Sequence, residues 1–146
     1  MTITENSASA SALTGQWRLT NFDLEFKDTG RKKPAFGPNP NGRLVLLPNA
    51  MMMVVITPSG RAIPQTAEER ASAFNSMIAY SGRASIEGDQ LLCTVDMAWN
   101  EVWANTVQTR TIQHHEPNLT LISAWDASPA DPNKIVRGIL DWVRES

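Results

Sequence analysis

An all-β fold is what this sequence predicts: eight antiparallel strands closing up-and-down into a barrel, with one α-helix between the third and fourth strands. Three observations carry the prediction. Short strand-like runs recur at near-regular spacing between Gly, Pro, Asn and Asp turn signals, the pattern of a sandwich or barrel. The first run, headed by Gly15-Gln16-Trp17, is long and changes parity partway, as a strand that bends to close a barrel does. A single segment carries a convincing helical stripe. Eight strands also form a closed interior wide enough for one small ligand.

The first strand is predicted over Gln16 to Phe26. Trp17 and Leu19 share one parity, whereas Phe22, Leu24 and Phe26 share the other, so a bulge is expected near Thr20-Asn21. Asp28-Thr29-Gly30 reads as a turn. The segment from Phe36 to Gly42 reads as a stiff loop, because Pro38 and Pro40 fix φ. Arg43 to Leu47 forms the second strand, and Ala50 to Thr57 the third. The third is apolar on both parities, which predicts one face toward the interior and the other under a covering helix. That helix opens on a capping box, Thr66-Ala67-Glu68-Glu69, and continues as a stripe through Ala71, Phe74, Met77 and Ile78. Arg70 sits beside the stripe with its stem against it. Four further strands, separated by turn residues, span Ala79 to Glu87, Gln90 to Trp99, Thr106 to His115 and Leu119 to Asp126. The last runs from Lys134 to about Arg144.

Composition narrows the function classes. The 146 residues suit one domain with a core of its own, typically roughly 100–200 residues. We expect a flexible tail over 1–12 and the barrel domain over 13–146. Charge is nearly balanced, 13 Lys+Arg against 15 Asp+Glu, and no basic cluster exceeds Arg31-Lys32-Lys33, so nucleic-acid binding is disfavoured. No run approaches the roughly 18 apolar residues of a membrane span, and the first dozen residues lack the apolar stretch of a signal peptide. With a single cysteine, Cys93, there is no disulfide framework. A cytoplasmic protein, monomeric or weakly dimeric, is expected.

Several landmarks occur together and in order. They are Leu13-Thr14-Gly15-Gln16-Trp17-Arg18-Leu19, then Phe36-Gly37-Pro38-Asn39-Pro40 with Gly42 leading into a strand. The helix from Thr66-Ala67-Glu68-Glu69-Arg70 follows, running through Ala73-Phe74 to Ala79-Tyr80-Ser81-Gly82-Arg83. Asn100 and Trp103 lie after the fifth strand, Arg110 in the sixth, and Trp142 with Arg144 at the end. In this the chain resembles the bacterial and fungal lipocalin-like domain family, small single-domain relatives of the lipocalins. The resemblance implies an eight-stranded calycin-type barrel and no single activity, since relatives carry or transform small lipophilic molecules, including natural-product intermediates. It also implies that Trp17 plugs the closed end of the barrel while Arg144 stacks across it. Members often carry polar residues where Cys93 and Thr94 stand here, so histidine chemistry on the fifth strand is not expected.

For chemistry, the residue pattern offers few groups. Arg110 lies mid-strand. If Gln108, Arg110, Ile112 and His114 face inward, the pocket has a charged end suited to a carboxylate, enolate or phenolate. The opposite parity would leave Arg110 on the outer wall. The β-branched Val107, Thr109 and Thr111 suit an outer face, which favours the inward reading. His114 and His115 are adjacent in a strand and point to opposite sides, so they cannot share a metal ion. No metal or cofactor is expected. Asp96 and Asp141 are expected to face solvent. Phe36, Met51, Met53, Tyr80, Trp99, Trp103, Arg110 and Trp125 are the candidate ligand contacts, and Arg110, Tyr80 and His114 the candidate catalytic groups. The function expected is binding of a small, mostly apolar molecule, aromatic or polyketide-like, inside the barrel. The alternative is a cofactor-free isomerase or cyclase that folds its substrate in the cavity.

Overall fold

The protein is described from a computed structural model, over residues 12–146. The predicted tail therefore lies outside the described residues, Ala12 excepted. The barrel strands are β1 (Gly15–Phe26), β3 (Asn41–Leu46), β4 (Met51–Thr57), β5 (Ile78–Glu87), β6 (Gln90–Ala98), β7 (Val107–His115), β8 (Asn118–Ser123) and β10 (Ile135–Arg144). Each pairs antiparallel with its neighbour, and β1 pairs with β10 to close the ring. Two short strands flank it: β2 (Lys32–Pro34) on β1 and β9 (Asp126–Ala127) on β10. A helix, α1 (Ala67–Asn75), falls between β4 and β5 in chain order, which is between the third and fourth strands of the barrel itself. No helix among the described residues is long and apolar enough to cross a membrane.

Local sequence explains the closure. The register of β1 against β10 shifts between Leu19 and Asn21. The shift lets Trp17 and Leu19 face inward before it and Phe22 after it. A second irregularity lies between Ser81 and Gly82, where a Cβ on Gly82 would run into the Thr94 carbonyl and come within 2.9 Å of the Cys93 sulfur. Gly15 is equally constrained. Its φ is +138°, and an added Cβ would clash with Ser146 O and lie 2.6 Å from Arg144 Nη1, so only glycine lets the first and last strands meet there.

The helix departs from expectation in its packing. Its capping box forms, with Thr66 Oγ1 accepting from the Glu69 amide and Glu69 accepting from the Thr66 amide. However, it covers no strand face and has no buried residue, and Met53 on the outer side of β4 is 52% exposed. The reason is topological. Ile56 of β4 pairs with Ile78 of β5, so these ends lie side by side at one end of the barrel, and the 58–77 segment only bridges them. Phe74 and Trp99 hold α1 there, with ring centroids 6.1 Å apart and Trp99 Nε1 donating to the Phe74 carbonyl at 2.9 Å. The predicted stripe is cut short: α1 ends at Asn75, and Ile78 begins β5. Arg70 extends to the Gln65 carbonyl rather than along the stripe.

Candidate functional site

At one end the barrel is shut. Trp17 is fully buried (0% exposed) and its Nε1 donates to the Leu13 carbonyl at 2.9 Å. Arg144, its cross-strand partner, lies with its guanidinium carbon 4.3 Å from the ring centroid. Nε of Arg144 donates to Glu116 Oε2 at 2.6 Å, Nη1 to the Thr14 carbonyl at 2.7 Å, and Nη2 to Glu116 Oε1 at 3.0 Å and to the Ala12 carbonyl. His114 stands edge-on to Trp17 at 5.8 Å and bonds Glu116 through Nε2 at 2.9 Å. The hydrogen bond from Arg144, and after it the one from His114, hold the Glu116 carboxyl down at about 2. Arg144, Glu116 and His114 are thus all partnered at this end.

Toward the other end the interior is empty. A cavity of about 480 Å³ is walled by Phe22, Leu44, Met52, Val54, Ile56 and Leu121, and it reaches a rim that includes Trp103, Trp125 and Asp126. The strands alternate, so one parity builds this wall. On β7 the inward parity includes Arg110, which lines the cavity mid-strand beside the small Ser123 and Gly138 on β8 and β10. Arg110 donates to its neighbour's carbonyl, Thr109 O, at 2.9 Å and distantly to Gln108 Oε1 at 3.5 Å. Among the described residues it has no carboxylate partner.

Tyr80 lines the cavity from β5, its ring 5.4 Å from that of Trp103. Burial pushes its phenol above the ordinary value. Arg110 pulls against that rise and Cys93 adds to it, so the hydroxyl stays protonated at neutral pH. Burial, followed by Asp96, pushes the Cys93 thiol up to about 11 against the pull of Arg110, which makes it a neutral wall residue and not a nucleophile.

Of the sequence candidates, Tyr80, Trp103, Arg110 and Trp125 meet around this cavity. Trp125 sits at the rim between cations, with Arg137 at 4.4 Å and Lys27 at 5.7 Å from its ring. The others lie elsewhere. Met51 and Met53 are on the outer parity of β4, and Met52 lines the cavity instead. Phe36 packs edge-on to Phe22 at 5.2 Å and is not on the lining. Trp99 supports Trp103 from outside, 5.3 Å between centroids. His114 belongs to the closed end, away from Arg110. Asp96 is exposed and accepts from Ser81 Oγ at 2.7 Å, and Asp141 accepts from Thr120 Oγ1 at 2.6 Å; neither lines the cavity. Trp142, read as a terminal landmark, is a cavity residue whose indole N–H is buried with no acceptor among the described residues. Arg137, also on the lining, pairs with Glu25 at 2.6 Å. Among the described residues no group of three His, Cys, Asp or Glu could hold a metal ion.

No curated protein sequence matches the chain. The profile of the lipocalin-like domain does match, over residues 14–145, nearly the full length and the whole of the described barrel. The chain belongs to the lipocalin-like domain family, whose barrel suggests small-molecule binding in general.

Proposed function

We propose that this protein holds a small, largely apolar ligand in the barrel cavity. The observation that carries the proposal is the cavity itself: an interior of about 480 Å³, walled by aliphatic and aromatic side chains, in a chain that otherwise packs its core with large residues. Close packing is the rule inside proteins, and an apolar void of this size forfeits contact energy unless something fills it. Tyr80, Trp103 and Trp125 offer flat surfaces, which favours an aromatic or conjugated ligand body.

A second reading, a cofactor-free isomerase or cyclase, draws on one specific arrangement. A charged donor, Arg110, and a protonated phenol, Tyr80, face one apolar cavity, where they could stabilise an oxyanion developing on a folded substrate.

Native mass spectrometry of the full chain as purified tests the container. A bound small molecule that leaves on denaturation is the expected result. Its absence, together with failure of the apolar fluorophore phenylnaphthylamine to bind, would remove both readings. Recovering the ligand and finding its mass and structure unchanged after incubation would favour carriage over conversion.

A further inference from the structure

We propose that the ligand is an organic anion, an apolar body bearing a carboxylate, enolate or phenolate oxygen that Arg110 receives inside the barrel. This rests on the container reading above and names its ligand class. Hydrogen-bonding capacity around the cavity is unevenly used. Two side-chain acceptors there are already in contact with donors. Ser123 Oγ takes the Gly138 amide at 2.7 Å, and Gln108 Oε1 faces Arg110. The one carboxylate on the lining, Asp126, is an exposed rim residue whose Oδ1 takes the Ala127 amide at 2.8 Å. Three donors on the lining are not saturated. A guanidinium has five N–H groups, and Arg110 places only two, one of them at 3.5 Å. The Tyr80 hydroxyl has no hydrogen bond among the described residues. Trp142, 2% exposed, buries its indole N–H with no acceptor among the described residues.

A half-buried charge with no carboxylate beside it and an orphaned buried donor are each unfavourable in a native fold. Here both line the same cavity, and both lack the same thing, an acceptor. A ligand bearing negative charge supplies it at Arg110, and the fork of an arginine suits a flat two-oxygen group.

The test uses two fluorophores of one skeleton: anilinonaphthalene sulfonate, an anion, and phenylnaphthylamine, which lacks the sulfonate. The wild-type full chain is expected to bind the anion about tenfold or more tightly than the neutral probe, the scale of a charge-assisted contact. In Arg110→Met that preference should collapse to within about twofold. Equal wild-type affinities for the two probes would overturn the anion assignment and leave the container standing. So would an anion preference that survives in Arg110→Met, since it would place the sulfonate elsewhere. Binding of neither probe would overturn both. The wild-type ratio needs no variant, so the inference remains testable even if a substituted chain does not fold.

Discussion

Two inward-facing arginines divide the barrel. Arg144, at the closed end, stacks on Trp17, pairs with Glu116 and caps the carbonyls of Ala12 and Thr14. Arg110, on the cavity, has only its neighbour's carbonyl and a long contact to Gln108. The same side chain, facing the same interior, is saturated in one place and left open in the other. Saturated polar groups hold a structure together, whereas unsatisfied ones beside an empty volume wait for something the chain does not contain. On this contrast Gly15-Gln16-Trp17 is the structural end, and the proposed site lies across the barrel from it.

Four substitutions press on that contrast. Trp17→Ala has the largest expected effect, a loss of about 3–5 kcal/mol typical of emptying a large core site, read as a lowered denaturant midpoint. Arg144→Met comes next. It removes the stacking and the carbonyl caps and should cost about 1–2 kcal/mol, while phenylnaphthylamine binding by the folded fraction is unchanged. A loss of binding in step with stability would erase the division between the two ends.

Glu116→Gln acts on pH dependence. The Glu116 carboxyl sits at about 2 when folded against an ordinary 4.5. A depressed carboxylate contributes its stability in full above the unfolded value and loses it as pH falls through the folded one. Wild type should therefore lose stability between about pH 4.5 and 2 more steeply than Glu116→Gln, as followed by thermal melts across that range. Parallel curves would remove Glu116 from the closed-end network. The smallest expected effect on stability is that of Arg110→Met. Replacing an unpaired, partly buried charge by an apolar side chain of similar length should leave the melting temperature unchanged or raise it. A large drop would mean that Arg110 is a second structural bolt.

Much of this was legible in the residues. Strand periodicity and turn chemistry located the barrel strands to within a few residues, because half-buried strands alternate and turns need Gly, Pro and Asn. The parity change in β1 announced its bulge, and Thr66 with Glu69 announced the helix start. The methionines of β4 were not resolved by pattern, since both of its faces are apolar and alternation carries no sign there. The hairpin register holds the missing information. Leu46 is the inward residue of a strand whose outward partner is Arg43, and Leu46 opposes Met52 across the turn. Trp142 and Phe36 exchanged places for another reason. Which aromatic lines a cavity depends on how eight strands stagger around it, a three-dimensional property that no local spacing encodes.

The most direct test of the account is a crystal structure of the full chain with anilinonaphthalene sulfonate. The account predicts the rings within the cavity, against Tyr80 and Trp103, with the sulfonate oxygens on Arg110 and the Trp17–Arg144 end unchanged. A probe seated on the outer wall, or a cavity closed by its own side chains, would contradict it.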